Sequence, residues 1–185
     1  MASTIPGYHG VLLEVDLSNR KVNQVDLNPA NAANFVGGRG FGMRILWGHL
    51  KPGVDALSPE NPFMITVGPF QGFPIPYSGR FTTVCKHPQT SPIESKYPKA
   101  STISFSSCGG FFGSTLKLAG YDSLIVIGKS EDPAVIVIDD GKVEIRDGRK
   151  YWGMMTSACE KQLVQDLGGR FDVCTVGPAA ENGCT

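Results

Sequence analysis

The chain has 185 residues, enough for one sizeable core or for two small halves that share one. Hydrophobic residues make up 41% and charged residues 18%, the balance of a globular rather than a disordered chain. Lys+Arg and Asp+Glu both total 17, no apolar run is long enough to span a bilayer, and Met1 to His9 lacks a secretory pattern, so nucleic acid, membrane and export are disfavoured and the cytoplasm is the expected compartment.

From the N-terminus, residues 11–16 read as a strand, Ser18-Asn-Arg20 as a turn and residues 22–27 as a second strand. Asn28-Pro29 suits the cap and first residue of a helix, and the segment ends in Val36-Gly-Gly-Arg-Gly-Phe-Gly42. A short helix with Ile45, Leu46 and Leu50 on one face is expected next, stopped before Pro52. The loop Leu57-Ser-Pro-Glu-Asn-Pro62 then leads into a buried strand at 63–67, closed by Gly68-Pro69. Residues 80–86 and 101–105 read as strands, and Ser106-Ser-Cys-Gly-Gly-Phe-Phe-Gly113 runs into a helix that Gly120 ends. Residues 123–127 return as an apolar strand. A hairpin follows, 134–139 and 142–146 around Asp140-Gly141, then a helix carrying Met155, Cys159, Leu163 and Leu167 up to Gly168. Residues 171–176 complete the series as a strand.

Hairpin, helix, strand and Gly-Pro thus occur twice, with Thr66-Val-Gly-Pro69 echoed by Thr175-Val-Gly-Pro178. The expected fold class is α+β, with duplicated hairpin–helix–strand units forming two related sheets. One domain over 1–185 is expected, with internal halves at approximately 8–105 and 106–185.

The five cysteines lie far apart, so the spacing offers no zinc or iron–sulfur site, and the odd count argues against a disulfide framework. His9, His49 and His87 are scattered and suggest no catalytic group. Ser106 to Gly110 has the form of an anion site, a strand turning through small residues into a helix start, although a plain helix cap at Ser106 or Ser107 is the commoner use of such a stretch. Neither a phosphate-binding Gly-Lys-Ser/Thr nor a dinucleotide G-x-G-x-x-G is present there. Arg80, after Ser78-Gly79, could clamp a phosphate with its planar fork or form an ordinary ion pair. Arg39 reads more simply as part of a tight turn, Cys108 as a small buried residue, and Trp47, Trp152 and Phe111-Phe112 as core.

Several of these segments together resemble the N-terminal domain of the aldehyde ferredoxin oxidoreductases, from about Tyr8 to Asn182. They are Val36-Gly-Gly-Arg-Gly40, Leu57-Ser-Pro-Glu-Asn61 with Val67-Gly-Pro69, Gly79-Arg80, and Gly109-Gly-Phe-Phe-Gly113 with Leu116-Lys-Leu-Ala-Gly-Tyr-Asp122. The series continues with Gly128-Lys129, Val143-Glu-Ile-Arg-Asp147, Trp152-Gly153 and Val176-Gly-Pro-Ala-Ala-Glu-Asn182. The resemblance implies a part of an enzyme that oxidises aldehydes to carboxylic acids and passes electrons to ferredoxin. It implies tungsten or molybdenum held by two pyranopterins, a bis-pyranopterin cofactor, beside a [4Fe-4S] cluster. This domain would be the base on which the cofactor sits, with Arg80 contacting pterin and Gly109 offering a backbone contact. Ser107 stands where the family carries an asparagine linked to pterin and magnesium.

The cluster's cysteines and the second pterin-contacting stretch would belong to C-terminal helical domains or to a larger subunit, and this part would not be active alone. A homo-oligomer is left open. A free-standing, non-catalytic module that binds pterin or a partner protein is the alternative, and a relative acting on something other than an aldehyde is the third reading.

Overall fold

A computed structural model describes residues 5–87, 94 and 102–184, and among them the fold is mixed α+β with two sheets and five helices. β1 (Val11–Asp16) and β2 (Lys21–Asp26) form the first hairpin. α1 (Pro29–Phe35) starts as its sequence suggests, with the Asn28 side chain accepting a hydrogen bond from the Ala30 N–H and Pro29 at the first position. α2 (Gly38–His49) begins inside the glycine-rich run rather than after it. Gly37 and Gly38 take positive φ, 84° and 55°, which lets the chain reverse from α1 into α2 without a longer loop.

β3 (Phe63–Thr66), β4 (Phe81–Lys86), β5 (Ile103–Cys108), α3 (Phe112–Leu118) and β6 (Ser123–Ile127) follow. The large sheet has the order β2-β1-β6-β3-β4-β5, with only β1 and β6 parallel. β7 (Ala134–Asp139) and β8 (Lys142–Asp147) form a separate two-stranded sheet around Asp140-Gly141. α4 (Thr156–Leu167) ends on Gly168 in the left-handed conformation, and α5 (Pro178–Glu181) is a short turn of helix.

Strand alternation divides the core into two layers on either side of the large sheet. Leu12, Met64, Val84 and Ile125 point to one face and pack with Phe41, Ile45 and Leu46 of α2. Leu13, Ile65, Phe81 and Leu124 point to the other and pack with Leu116 of α3, with Ile136 and Ile138 of the second hairpin against them. α2 lies very close to its sheet face, since a Cβ on Gly42 would stand 2.6 Å from the Val84 Cγ2. Among the described residues no helix is long and apolar enough to cross a membrane.

Three expectations need correction. Residues 171–176 form no strand, because β7 and β8 pair only with each other and the segment is held to helices instead. The Asp172 carboxylate accepts from the Thr115 hydroxyl of α3, and Thr175 Oγ1 lies 3.5 Å from Cys159 Sγ of α4. Trp47, Trp152 and Phe111 are not core but are 76%, 54% and 77% exposed. Trp47 sits off the Phe41–Ile45–Leu46 stripe of α2, whereas Phe112 does pack, its ring 5.5 Å from that of Phe81. Cys108 is exposed at the end of β5 rather than buried.

Candidate functional site

Arg80 immediately precedes β4, and the β4–β5 register sets Phe81 opposite Cys108, Thr82 opposite Ser107 and Val84 opposite Phe105. Gly109 leaves β5 level with Arg80, so Arg80, Ser107 and Gly109 meet at one corner of the large sheet, all three exposed. Val84 points to the α2 side, and alternation puts Thr82, Phe105 and Ser107 on that side too, with Arg80 in phase with them. Ser106 and Ser107 lie within β5 and do not cap α3, whose N-cap is Phe111 with no side-chain hydrogen bond. The turn from β5 into α3 therefore leaves backbone N–H groups of the first helical turn without a side-chain acceptor.

Close backbone approaches explain the glycines at this corner. A Cβ on Gly79 would meet the Gly110 carbonyl oxygen at 3.1 Å, and one on Gly113 would meet the Phe81 Cβ at 3.0 Å. A Cβ on Gly37 would lie 2.6 Å from the Gly68 Cα, so the start of α2 rests directly on the turn after β3. Buried Gln71 ties these pieces together: its Oε1 accepts from the Gly68 N–H at 2.6 Å, and its Nε2 donates to the Arg80 carbonyl. Thr66 Oγ1 lies within hydrogen-bond reach of the Gly38 and Thr82 carbonyls, at 2.9 and 3.2 Å. Four motifs scattered in the sequence, at 36–42, 67–69, 79–80 and 109–113, thus converge. Reading the sequence linked two of them to a ligand and assigned the first to a tight turn; the run of glycines around Arg39 was the available signal.

The corner is electropositive. Among the described residues neither Arg80 nor Arg39 has a carboxylate partner, whereas Arg146 pairs with Glu144 and Arg149 with Asp147. The Arg39 guanidinium instead lies 4.5 Å from the centroid of the Phe105 ring. Among the described residues no three His, Cys, Asp or Glu side chains stand together as a metal site. An apolar cavity of about 540 Å³ lies elsewhere, between the large sheet, α3, α4 and the second hairpin, lined by residues such as Ile65, Leu116, Ile136 and Leu163. It lies on the α3 side of the large sheet, and its lining includes none of Arg80, Ser107 and Gly109.

The other motifs do structural work. Asn61 Nδ2 donates to the carbonyls of Ala56 and Lys86, both at 2.8 Å, fastening the loop before β3 to the end of β4. Gly128 leaves room for the Ser18 hydroxyl, which joins the first hairpin turn to the Lys129 backbone. The Gly153 N–H donates to Glu181 Oε2 at 2.8 Å. Asp122, fully buried, accepts from the N–H groups of His9, Gly10 and Val11 and from the Lys117 ammonium, itself only 3% exposed. That ammonium lies 4.8 Å from the Tyr8 ring centroid, and burial, with the Asp122 charge nearby, raises the Tyr8 phenol above its usual range.

Residues 12–185 match the family described as aldehyde ferredoxin oxidoreductase, N-terminal domain. A tungsten-containing aldehyde ferredoxin oxidoreductase of Pyrococcus horikoshii is 37% identical over 177 residues, covering 95% of this chain and 28% of that protein. The WOR-like subunit of an aliphatic sulfonate oxidoreductase from Pyrococcus furiosus is 38% identical over 163 residues, covering 86% of this chain and 24% of that protein. A solved structure, the active site complex BamBC of benzoyl coenzyme A reductase with 1,5-dienoyl-CoA, superposes with a TM-score of 0.85 at 30% identity, over 95% of this chain and 26% of that one. The chain therefore spans about a quarter of the length of these relatives, 24–28%. It belongs to the aldehyde ferredoxin oxidoreductase family, matching that family's N-terminal domain.

Proposed function

We propose that this chain is the cofactor-positioning part of a tungsten or molybdenum bis-pterin oxidoreductase that oxidises aldehydes to carboxylic acids and passes electrons to a ferredoxin. The observation that carries the reading is the meeting of Arg80, Ser107 and Gly109 at one exposed, electropositive corner. The residues fit an anionic, phosphate-bearing group: a guanidinium with no carboxylate partner among the described residues, a hydroxyl two positions along on the same face, and a glycine turn whose backbone N–H groups have no side-chain cap.

When bound, the metal and its dithiolenes supply the two-electron chemistry. The work of this chain is to bind and orient. Arg80 offers two parallel N–H donors to a phosphate, the Ser107 hydroxyl donates or accepts beside it, and Gly109 lets the ligand approach the main chain. Gln71 holds the Arg80 backbone in place, so the guanidinium projects from a fixed point. Its five cysteines are spread along the chain, so a [4Fe-4S] cluster would draw its ligands from the further domains or a larger subunit that complete the enzyme.

A second reading concerns the substrate. The sulfonate oxidoreductase subunit and the benzoyl-CoA reductase complex are both similar to this chain, and their named substrates are not simple aldehydes. The same cradle would serve either chemistry, with specificity set elsewhere. The test of the cradle is Arg80→Ala in the complete assembly. It should lower tungsten or molybdenum content by roughly tenfold or more, one charge-assisted contact being worth about 1.5–3 kcal/mol. Arg80→Lys should give a partial loss, because an ammonium lacks the fork. Unchanged metal content in Arg80→Ala would remove Arg80 from the site.

A further inference from the structure

Arg39 occupies the second position of α2, in its first turn. A cation there faces the positive end of the helix dipole, an unfavourable placement that a carboxylate normally offsets. No acidic residue lies in that turn, and among the described residues no carboxylate pairs with Arg39. The side chain, exposed, rests instead on an aromatic ring, its guanidinium 4.5 Å from the centre of Phe105.

That place is on the candidate site. Phe105 is two residues from Ser107 on β5, so both side chains share one face, about 7 Å apart along the strand. Val84 and Thr82, their partners on β4, lead in the same phase to Arg80. The start of α2 is pressed onto this corner by the contact of Gly37 with Gly68, and Gly68 is tied through Gln71 to the Arg80 carbonyl. Two guanidinium groups with no carboxylate partner among the described residues are therefore attached to one sheet corner through a common set of contacts.

We propose that Arg39 is a second anion-binding residue of this face, acting with Arg80 on the phosphate-bearing end of the cofactor, with Phe105 as the platform that orients it. An anion bound there would compensate both the Arg39 charge and the first turn of α2, which has no side-chain cap. The inference rests on the pterin reading above.

The test uses the complete enzyme, with tungsten, molybdenum and pterin per polypeptide measured after prolonged dialysis, beside the thermal midpoint of each variant. Arg39→Ala should lower retained metal and pterin together by roughly fivefold or more, with the thermal midpoint of the cofactor-free protein unchanged. Arg39→Lys should retain an intermediate amount, and Phe105→Leu should also lose cofactor although Arg39 is intact. If Arg39→Ala keeps its full cofactor while Arg80→Ala loses it, Arg39 is only a stacking residue and the proposal fails, with the pterin reading intact. If neither variant loses cofactor, the pterin reading itself fails, and this inference with it.

Discussion

The missing side chain of Gly79 faces the carbonyl of Gly110: a Cβ there would stand 3.1 Å from that oxygen. The contact sets the strand carrying Arg80 against the turn carrying Gly109. Gly79→Ala should push the two apart, lowering stability by about 1–2 kcal/mol, the usual cost of modest overpacking. Chemical denaturation would measure it. A variant as stable as the parent would show that this corner yields easily.

Gly37 is under two constraints at once, a φ of 84° and a Cβ position 2.6 Å from the Gly68 Cα. Gly53 has the same kind of φ, 83°, but nothing within 4 Å. Gly53→Ala should cost only the left-handed strain, about 1–2 kcal/mol. Gly37→Ala should cost about 1–3 kcal/mol more, because backbone must also move. Equal midpoints in urea for the two variants would contradict the close packing of α2 on the turn after β3.

Lys117 and Asp122 form a buried ion pair in which Asp122 also accepts three main-chain N–H groups from residues 9–11. Asp122→Asn leaves the ammonium without its counter-charge and should destabilise the chain by about 3–5 kcal/mol. Lys117→Met combined with Asp122→Asn should recover part of that loss, since no buried charge remains. A double variant no more stable than Asp122→Asn would mean that the main-chain contacts, not the charge pair, dominate.

At the end of β8, hydrogen bonds from the Arg149 side chain and N–H hold the Asp147 carboxyl down at about 2, against an ordinary 3.8. A depressed carboxyl favours the folded state above its unfolded pKa, and that benefit fades as pH falls from about 4 through about 2. The pair is fully exposed, so the effect on stability should be small. A carboxyl-detected NMR titration should place the Asp147 midpoint near 2, and in Arg149→Ala it should rise towards 4. An unchanged midpoint in that variant would contradict the assignment to Arg149.

Much of this fold was legible in the sequence because the signals were local. Asn28-Pro29, Asp140-Gly141 and Gly168 act within a few residues of themselves, and each marks the helix start, hairpin turn or helix end expected of it. Residues 171–176 had the composition of a strand, but pairing needs a neighbouring edge, which composition does not supply. Trp47 and Phe111 looked like core by residue type alone, and only their position on or before a helix reveals them as exposed. At the candidate site, Arg80 and Gly109 stood out through their immediate neighbours. Their proximity to the start of α2 did not, because it depends on Gly37 meeting Gly68 and on Gln71 reaching Arg80, contacts between segments separated by turns.

The most direct test of the cofactor-cradling role is to measure tungsten, molybdenum and iron in the native species that contains this chain, purified anaerobically, with its intact mass on the same sample. The account predicts tungsten or molybdenum together with iron, in a species well above the 19.8 kDa of this sequence. A metal-free species at 19.8 kDa would contradict it and leave a stand-alone module in its place.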